Sequence, residues 1–120
     1  MANKRFQLFN GVAITTNPTV TEKLSSNYSF SVQLIWAGLS GTANLMLSVS
    51  MNDVNFDDFP VVDKDGNRLT TIPISGASGS LTIEVDSVIS DYVKFAIDGT
   101  SATAGTITAE FVQIDNQDTY

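Results

Sequence analysis

The sequence has 120 residues, 42% of them apolar, with no cysteine, no histidine and a formal net charge of −7. Without cysteine there are no disulfides, thiolate metal sites or thiol nucleophiles, and without histidine the commonest general base and transition-metal ligand are gone. Six basic residues against thirteen acidic ones disfavour nucleic acid and anionic membranes, whose binding depends on neutralising phosphates.

The length fits one domain over residues 1–120, with flexible segments expected at both ends. No apolar run reaches the length of a membrane span. The N-terminal Lys4-Arg5 pair has no uninterrupted apolar segment behind it, so no secretory signal is expected.

Phe6 and Leu8, with Val12 and Ile14, predict one or two short opening strands around an Asn10-Gly11 turn. Residues 15–27 are rich in Thr, Ser and Asn and carry Pro18, which predicts a connection with a short edge strand. From 28 to 36, Tyr28, Phe30, Val32, Leu34 and Trp36 take every second position. From 43 to 51, Ala43, Leu45, Leu47, Val49 and Met51 do the same. Period-two alternation places one set of side chains on each face of a strand. With Gly38 and Gly41 between the runs, the pattern reads as one long antiparallel hairpin.

Residues 52–60 form a polar, acidic loop with two phenylalanines. Val61-Val62 predicts a strand start, residues 63–67 a turn, and 69–74 a returning strand. Strands are also predicted at 81–85, 93–97 and 106–114, with Ile107, Ala109 and Phe111 on one face of the last and Thr108 and Glu110 on the other. No stretch holds a helical period over three turns. The expected fold is an all-β, antiparallel sandwich, jelly-roll-like, with seven to nine strands.

Asp63-x-Asp65-Gly66-Asn67 looks like part of a calcium loop but lacks the bidentate acid such loops need, so it reads as a turn. Asp53, Asn55, Asp57 and Asp58 are a second acidic cluster without ligand spacing. Glu84 and Glu110 sit mid-strand on polar faces, where charges discourage edge pairing more often than they catalyse. No cofactor and no enzymatic residue set is expected.

Among the aromatics, Tyr28 and Trp36 belong to the apolar strand face. Phe56 and Phe59 form a candidate ligand loop for glycan, and read equally as plugs of the sandwich end. Phe9, Ile35, Met46, Val112 and Ile114 fall on faces assigned to solvent. They mark either strands buried on both faces or a candidate self-association interface.

The segments 28–38 and 41–53, with Tyr92-Val93-Lys94 and Gly105-Thr106-Ile107 further on, resemble small β-sandwich proteins of tailed phages and related viruses. The sequence departs from that pattern at Ala37, at Val54 and around Phe56-Asp57. The resemblance covers roughly residues 28–114 and implies a virion component: capsid, decoration, head–tail or fibre protein. It implies a homo-oligomer, trimeric or pentameric, that also binds other virion proteins and folds in the host bacterial cytoplasm before joining the virion. The alternative is a carbohydrate-binding module of a tail or fibre.

Overall fold

The computed structural model of the chain describes residues 3–24, 28–62, 65–88 and 90–115. Asp63 and the terminal residues 1–2 and 116–120, where flexible segments were expected, lie outside the described residues. The chain runs through β1 (Asn3–Ala13), a 3-10 turn (Ile14–Thr16), β2 (Thr19–Lys23), β3 (Tyr28–Gly41) and β4 (Ala43–Ser50). It continues through β5 (Asp57–Asp58), β6 (Val61–Val62), β7 (Arg68–Leu69), β8 (Thr71–Ile74), β9 (Gly79–Val88), β10 (Tyr92–Asp98) and β11 (Ala102–Asp115). The eleven strands among the described residues exceed the seven to nine expected, because residues 57–74 break into four short pieces.

Two antiparallel sheets carry the fold. Sheet A has the order β1-β11-β3-β9. Sheet B has the order β2-β10-β4, with β5 and β8 sharing the far margin of β4. The chain alternates between the sheets from β1 to β4 and again from β8 to β11, which is jelly-roll wiring.

The long hairpin expected over 28–51 is therefore absent. β3 pairs with β11 and β9, while β4 pairs with β10, β5 and β8. The glycine-containing turn is an arch that carries the chain from one sheet to the other. Alternation identified the buried faces correctly: Tyr28, Phe30, Val32, Leu34, Trp36, Ala43, Leu45 and Leu47 are all buried. It does not distinguish strands that lie side by side from strands that face each other across a core, because both bury one face.

The core is aromatic at its centre. Phe30 and Phe111 of sheet A stack at 5.4 Å, and Phe95 of sheet B meets both edge-on at 5.7 Å. Each such pair adds about 0.5–1.5 kcal/mol beyond the area it buries. Tyr28 is fully buried, and its hydroxyl has no hydrogen-bond partner among the described residues. Burial, and then the negative charge of Asp91, push its pKa up to about 12.

The two arches at one end lock together. Gly41 has φ +91, and a Cβ there would overlap the Ser101 carbonyl oxygen. The Thr42 N–H donates to that same oxygen at 3.3 Å. Gly99, in the β10–β11 arch, sits so close to the 3-10 turn that a Cβ would overlap the Ile14 carbonyl oxygen. Its N–H donates to Asn17 Oδ1 at 2.8 Å. The neighbouring Asp98 Oδ1 accepts from the Thr100 hydroxyl at 2.6 Å and the Thr100 N–H at 3.0 Å, and these bonds hold its carboxyl below the ordinary range.

β1 is one strand, not two around an Asn10-Gly11 turn. It follows β11 from Asn3↔Ile114 to Ala13↔Thr106, with irregularities between Gln7 and Phe9 and between Phe9 and Val12. β2 is the expected edge strand, beside β10.

Candidate interaction surfaces

Phe9, read from sequence as solvent-facing, is only 5% exposed and belongs to the core. The irregularity after Gln7 inserts an extra residue and reverses the facing of the residues beyond it, as a bulge does. Ile35, Met46 and Ile114 are exposed, and Val112 is half-buried. These four do not form one patch. Val112 and Ile114 lie together on the outer face of sheet A, opposite Ser31 and Ser29 of β3. With Glu84 and Asp86 they line a shallow depression of about 230 Å³.

Ile35 is on the same face but is flanked by Thr108 and Ser80. The polar row Gln7–Glu110–Gln33–Thr82 separates it from Val112. Met46 is on the opposite side of the molecule, on sheet B, between Ala96 and Thr71. A partner touching Val112 and Ile114 therefore does not reach Met46 over the same surface.

The 51–56 loop is ordered by its own polar side chains. Ser50 Oγ accepts the N–H groups of Asn52 and Asp53 at 3.1 and 3.0 Å. Asn52 Oδ1 accepts those of Val54 and Asn55 at 3.0 and 2.9 Å. No group of three or more acidic side chains converges among the described residues. Phe56 is half-buried, and the Lys94 ammonium sits 4.4 Å from its ring centroid. Phe59 is half-buried against the core, and its N–H donates to the Leu47 carbonyl at 2.9 Å. Both rings are anchored to the sandwich. The apolar residues this loop does expose are Met51 and Val54, at 65% and 76%. Met51 was expected on the buried face, but β4 ends one residue earlier, at Ser50. Val54 stands out in the sequence only as a departure from the viral pattern.

Glu84 and Glu110 sit on strands flanking β3, on the outer face of sheet A. They are two rows apart in register, and Glu110 accepts a hydrogen bond from the Gln7 amide at 2.5 Å. The second feature that sequence reading missed is a groove of about 490 Å³ between the β6–β7 hairpin and β9. Its walls are mainly apolar, including Val62, Leu69, Ile72, Leu81 and Ile83, with Glu84 at the rim. Four separate segments build it, so no single stretch of sequence announces it.

No protein-family model and no curated protein matches this sequence. Among solved structures, a subunit of the disulfide-linked pili of Bacillus endospore appendages is similar over 95% of this chain and 87% of its own, with 17% identity and a TM-score of 0.51. A CBM4 structure is similar over 76% of this chain and 54% of its own, with 10% identity and a TM-score of 0.49. A chain of infectious bursal disease virus, Gx strain, is similar over 99% of this chain and 33% of its own, with 8% identity and a TM-score of 0.47. This chain thus spans about half the CBM4 chain and a third of the viral one. At 17% identity, the likeness to the pilus subunit is one of fold: an all-β sandwich wound as a jelly roll.

Proposed function

We propose that this chain is a non-enzymatic structural protein of a phage virion, a capsid, decoration or head–tail component that binds copies of itself and other virion proteins. The observation that carries this reading is the exposed apolar surface on the outside of a fully formed sandwich. Ile114 and Val112 make a shelf on sheet A, with Ile35 further along the face and Met46 on sheet B. Covering such surface stabilises a complex by roughly 25 cal/mol per Å² of apolar area removed from water. The phage part of the reading rests on the sequence resemblance over residues 28–114. The groove beside β9 is walled chiefly by aliphatic side chains, which suits a protein contact.

Two measurements test it. Quantitative mass spectrometry of purified particles of the source virus should find the protein, in numbers comparable to the major shell protein for a capsid or decoration role and in a handful of copies for a head–tail role. Its absence from particles overturns the virion assignment. In solution, Ile114→Lys should leave a folded protein, by circular dichroism and thermal midpoint, that no longer assembles. Normal assembly of this variant would remove the Val112–Ile114 shelf from the interface.

A further inference from the structure

Sheet A has two margins, β1 and β9, that pair on one side only among the described residues. They span Asn3–Ala13 and Gly79–Val88. Unpaired margins of that length are templates for another strand. The β2 margin of sheet B is shorter, and its Glu22 shares a row with buried Val93, a charge placed where it discourages pairing. Neither margin of sheet A has such a guard in residues 5–7 or 81–83, where polar and apolar side chains alternate.

Four consecutive rows cross all four strands of sheet A with no register shift between them: Lys4–Gln113–Phe30–Val85, Arg5–Val112–Ser31–Glu84, Phe6–Phe111–Val32–Ile83 and Gln7–Glu110–Gln33–Thr82. All pairs are antiparallel and the strand number is even, so β1 and β9 run in opposite directions. A second copy displaced along the rows offers its β1 to β9 as an antiparallel neighbour. In an antiparallel ladder a residue's N–H and C=O point to the same side, and that side alternates along the strand. Bonded and non-bonded pairs then alternate along each row, so the outward groups of residues 82–85 are in phase with those of residues 4–7 in a following copy.

We propose that copies of this chain join head to tail, β9 of one against β1 of the next, with Glu84 opposite Arg5, Ile83 opposite Phe6 and Thr82 opposite Gln7. The inference rests on the self-association reading above. Charge complementarity favours a second copy as the occupant. Exposed Arg5 marks one margin of sheet A, and exposed Glu84 and Asp86 mark the other. The groove beside β9 supplies the apolar part. Ile83 lies in its wall, and the half-buried ring of Phe6 from the next copy enters it. Each copy contributes two different surfaces, so the contact is heterologous and builds a ring or an open row, not a two-fold dimer.

The test uses the full chain carrying Gln7→Cys, Thr82→Cys or both. The parent has no cysteine, so every disulfide formed is an engineered one. Under mild oxidation the two single variants should cross-link only when mixed, and the double variant should form a ladder of multimers. Arg5→Glu should weaken assembly about tenfold, the effect of turning an attractive cross-strand pair into a repulsive one. Adding Glu84→Arg to the same chain should restore it. Oligomers seen by native mass spectrometry with no cross-link in the mixture would overturn the edge contact and leave self-association standing. A monomer at every concentration, without cross-links, would overturn both. Disulfides formed by either single variant alone would reveal a two-fold contact and reject the head-to-tail arrangement.

Discussion

β3 and β11 on one hand and residues 57–74 on the other show how differently one chain can specify order. The two long strands each have fourteen residues, and each is paired on both sides. Their inward positions are filled without a gap by Tyr28, Phe30, Val32, Leu34 and Trp36, and by Ile107, Ala109, Phe111 and Gln113. Residues 57–74 have as many hydrophobic residues as a strand needs, yet yield pieces of two, two, two and four residues. Pro60 and Gly66 lie between the pieces, and the acidic pair Asp57-Asp58 is exposed. β5 and β8 hold on to the margin of β4, while β6 and β7 pair only with each other. Uninterrupted alternation builds the sandwich, and interrupted alternation builds a flap on it.

The contrast is tested most strongly by cavity formation. Phe111→Ala removes the ring that touches Phe6, Phe30 and Phe95 and should cost about 3–5 kcal/mol of stability in urea unfolding. Leu69→Ala, in the half-buried wall of the flap, should cost no more than about 1 kcal/mol, as expected where part of the side chain is already in water. Equal losses would mean that the flap is part of the cooperative core.

A smaller effect separates two glycines with similar backbone angles. Gly41 (φ +91) meets the Ser101 backbone, whereas Gly66 (φ +84) has nothing within 4 Å. Gly41→Ala should cost about 2–4 kcal/mol, adding a backbone clash to the conformational strain. Gly66→Ala should cost about 1 kcal/mol from strain alone. Similar costs would show that the arches can shift apart without penalty.

The last effect is conditional on pH, vanishing below pH 10, and belongs to the start of β3. Tyr28 is raised from 10.0 to about 12, by burial first and by Asp91 second. Below pH 10 the phenol is neutral in both folded and unfolded chains, and its contribution is complete. Between pH 10 and 12 the unfolded chain ionises first, so stability falls, by up to roughly 2–3 kcal/mol at the upper end. Urea midpoints measured across that window should decline, and Tyr28→Phe should flatten this part of the decline. An unchanged slope in the variant would assign the alkaline loss to other groups.

Much of the fold was legible because a residue's facing is a local property. The strands at 28–36, 81–85, 93–97 and 106–114 all appear, with their alternation intact. Pairing partners were not legible, because Tyr28–Gly41 and Ala43–Ser50 bury the same faces whether they share a sheet or oppose each other. Phe9 was placed on the wrong face because a single inserted residue in β1 inverts the period-two count, and nothing in Phe6-Gln7-Leu8-Phe9 marks the insertion. The candidate surface was legible residue by residue at Ile35, Met46 and Ile114. Its division between two sheets, and the groove beside β9, depend on contacts far apart in sequence.

The wiring of sheet A also sets when the protein can become a protein. β11, the last strand, lies between β1 and β3, and pairs Ile114 with Asn3 at the other end of the chain. Until β11 is available, β1 has no neighbour in its sheet and β3 has only β9. The aromatic centre likewise lacks Phe111. Contacts this distant in sequence carry a high loop-closure cost before they are rewarded, which makes for slow folding. A growing chain can therefore hold β9 against β3 early, while β1 waits without a neighbour in its sheet until residues 102–115 have been made.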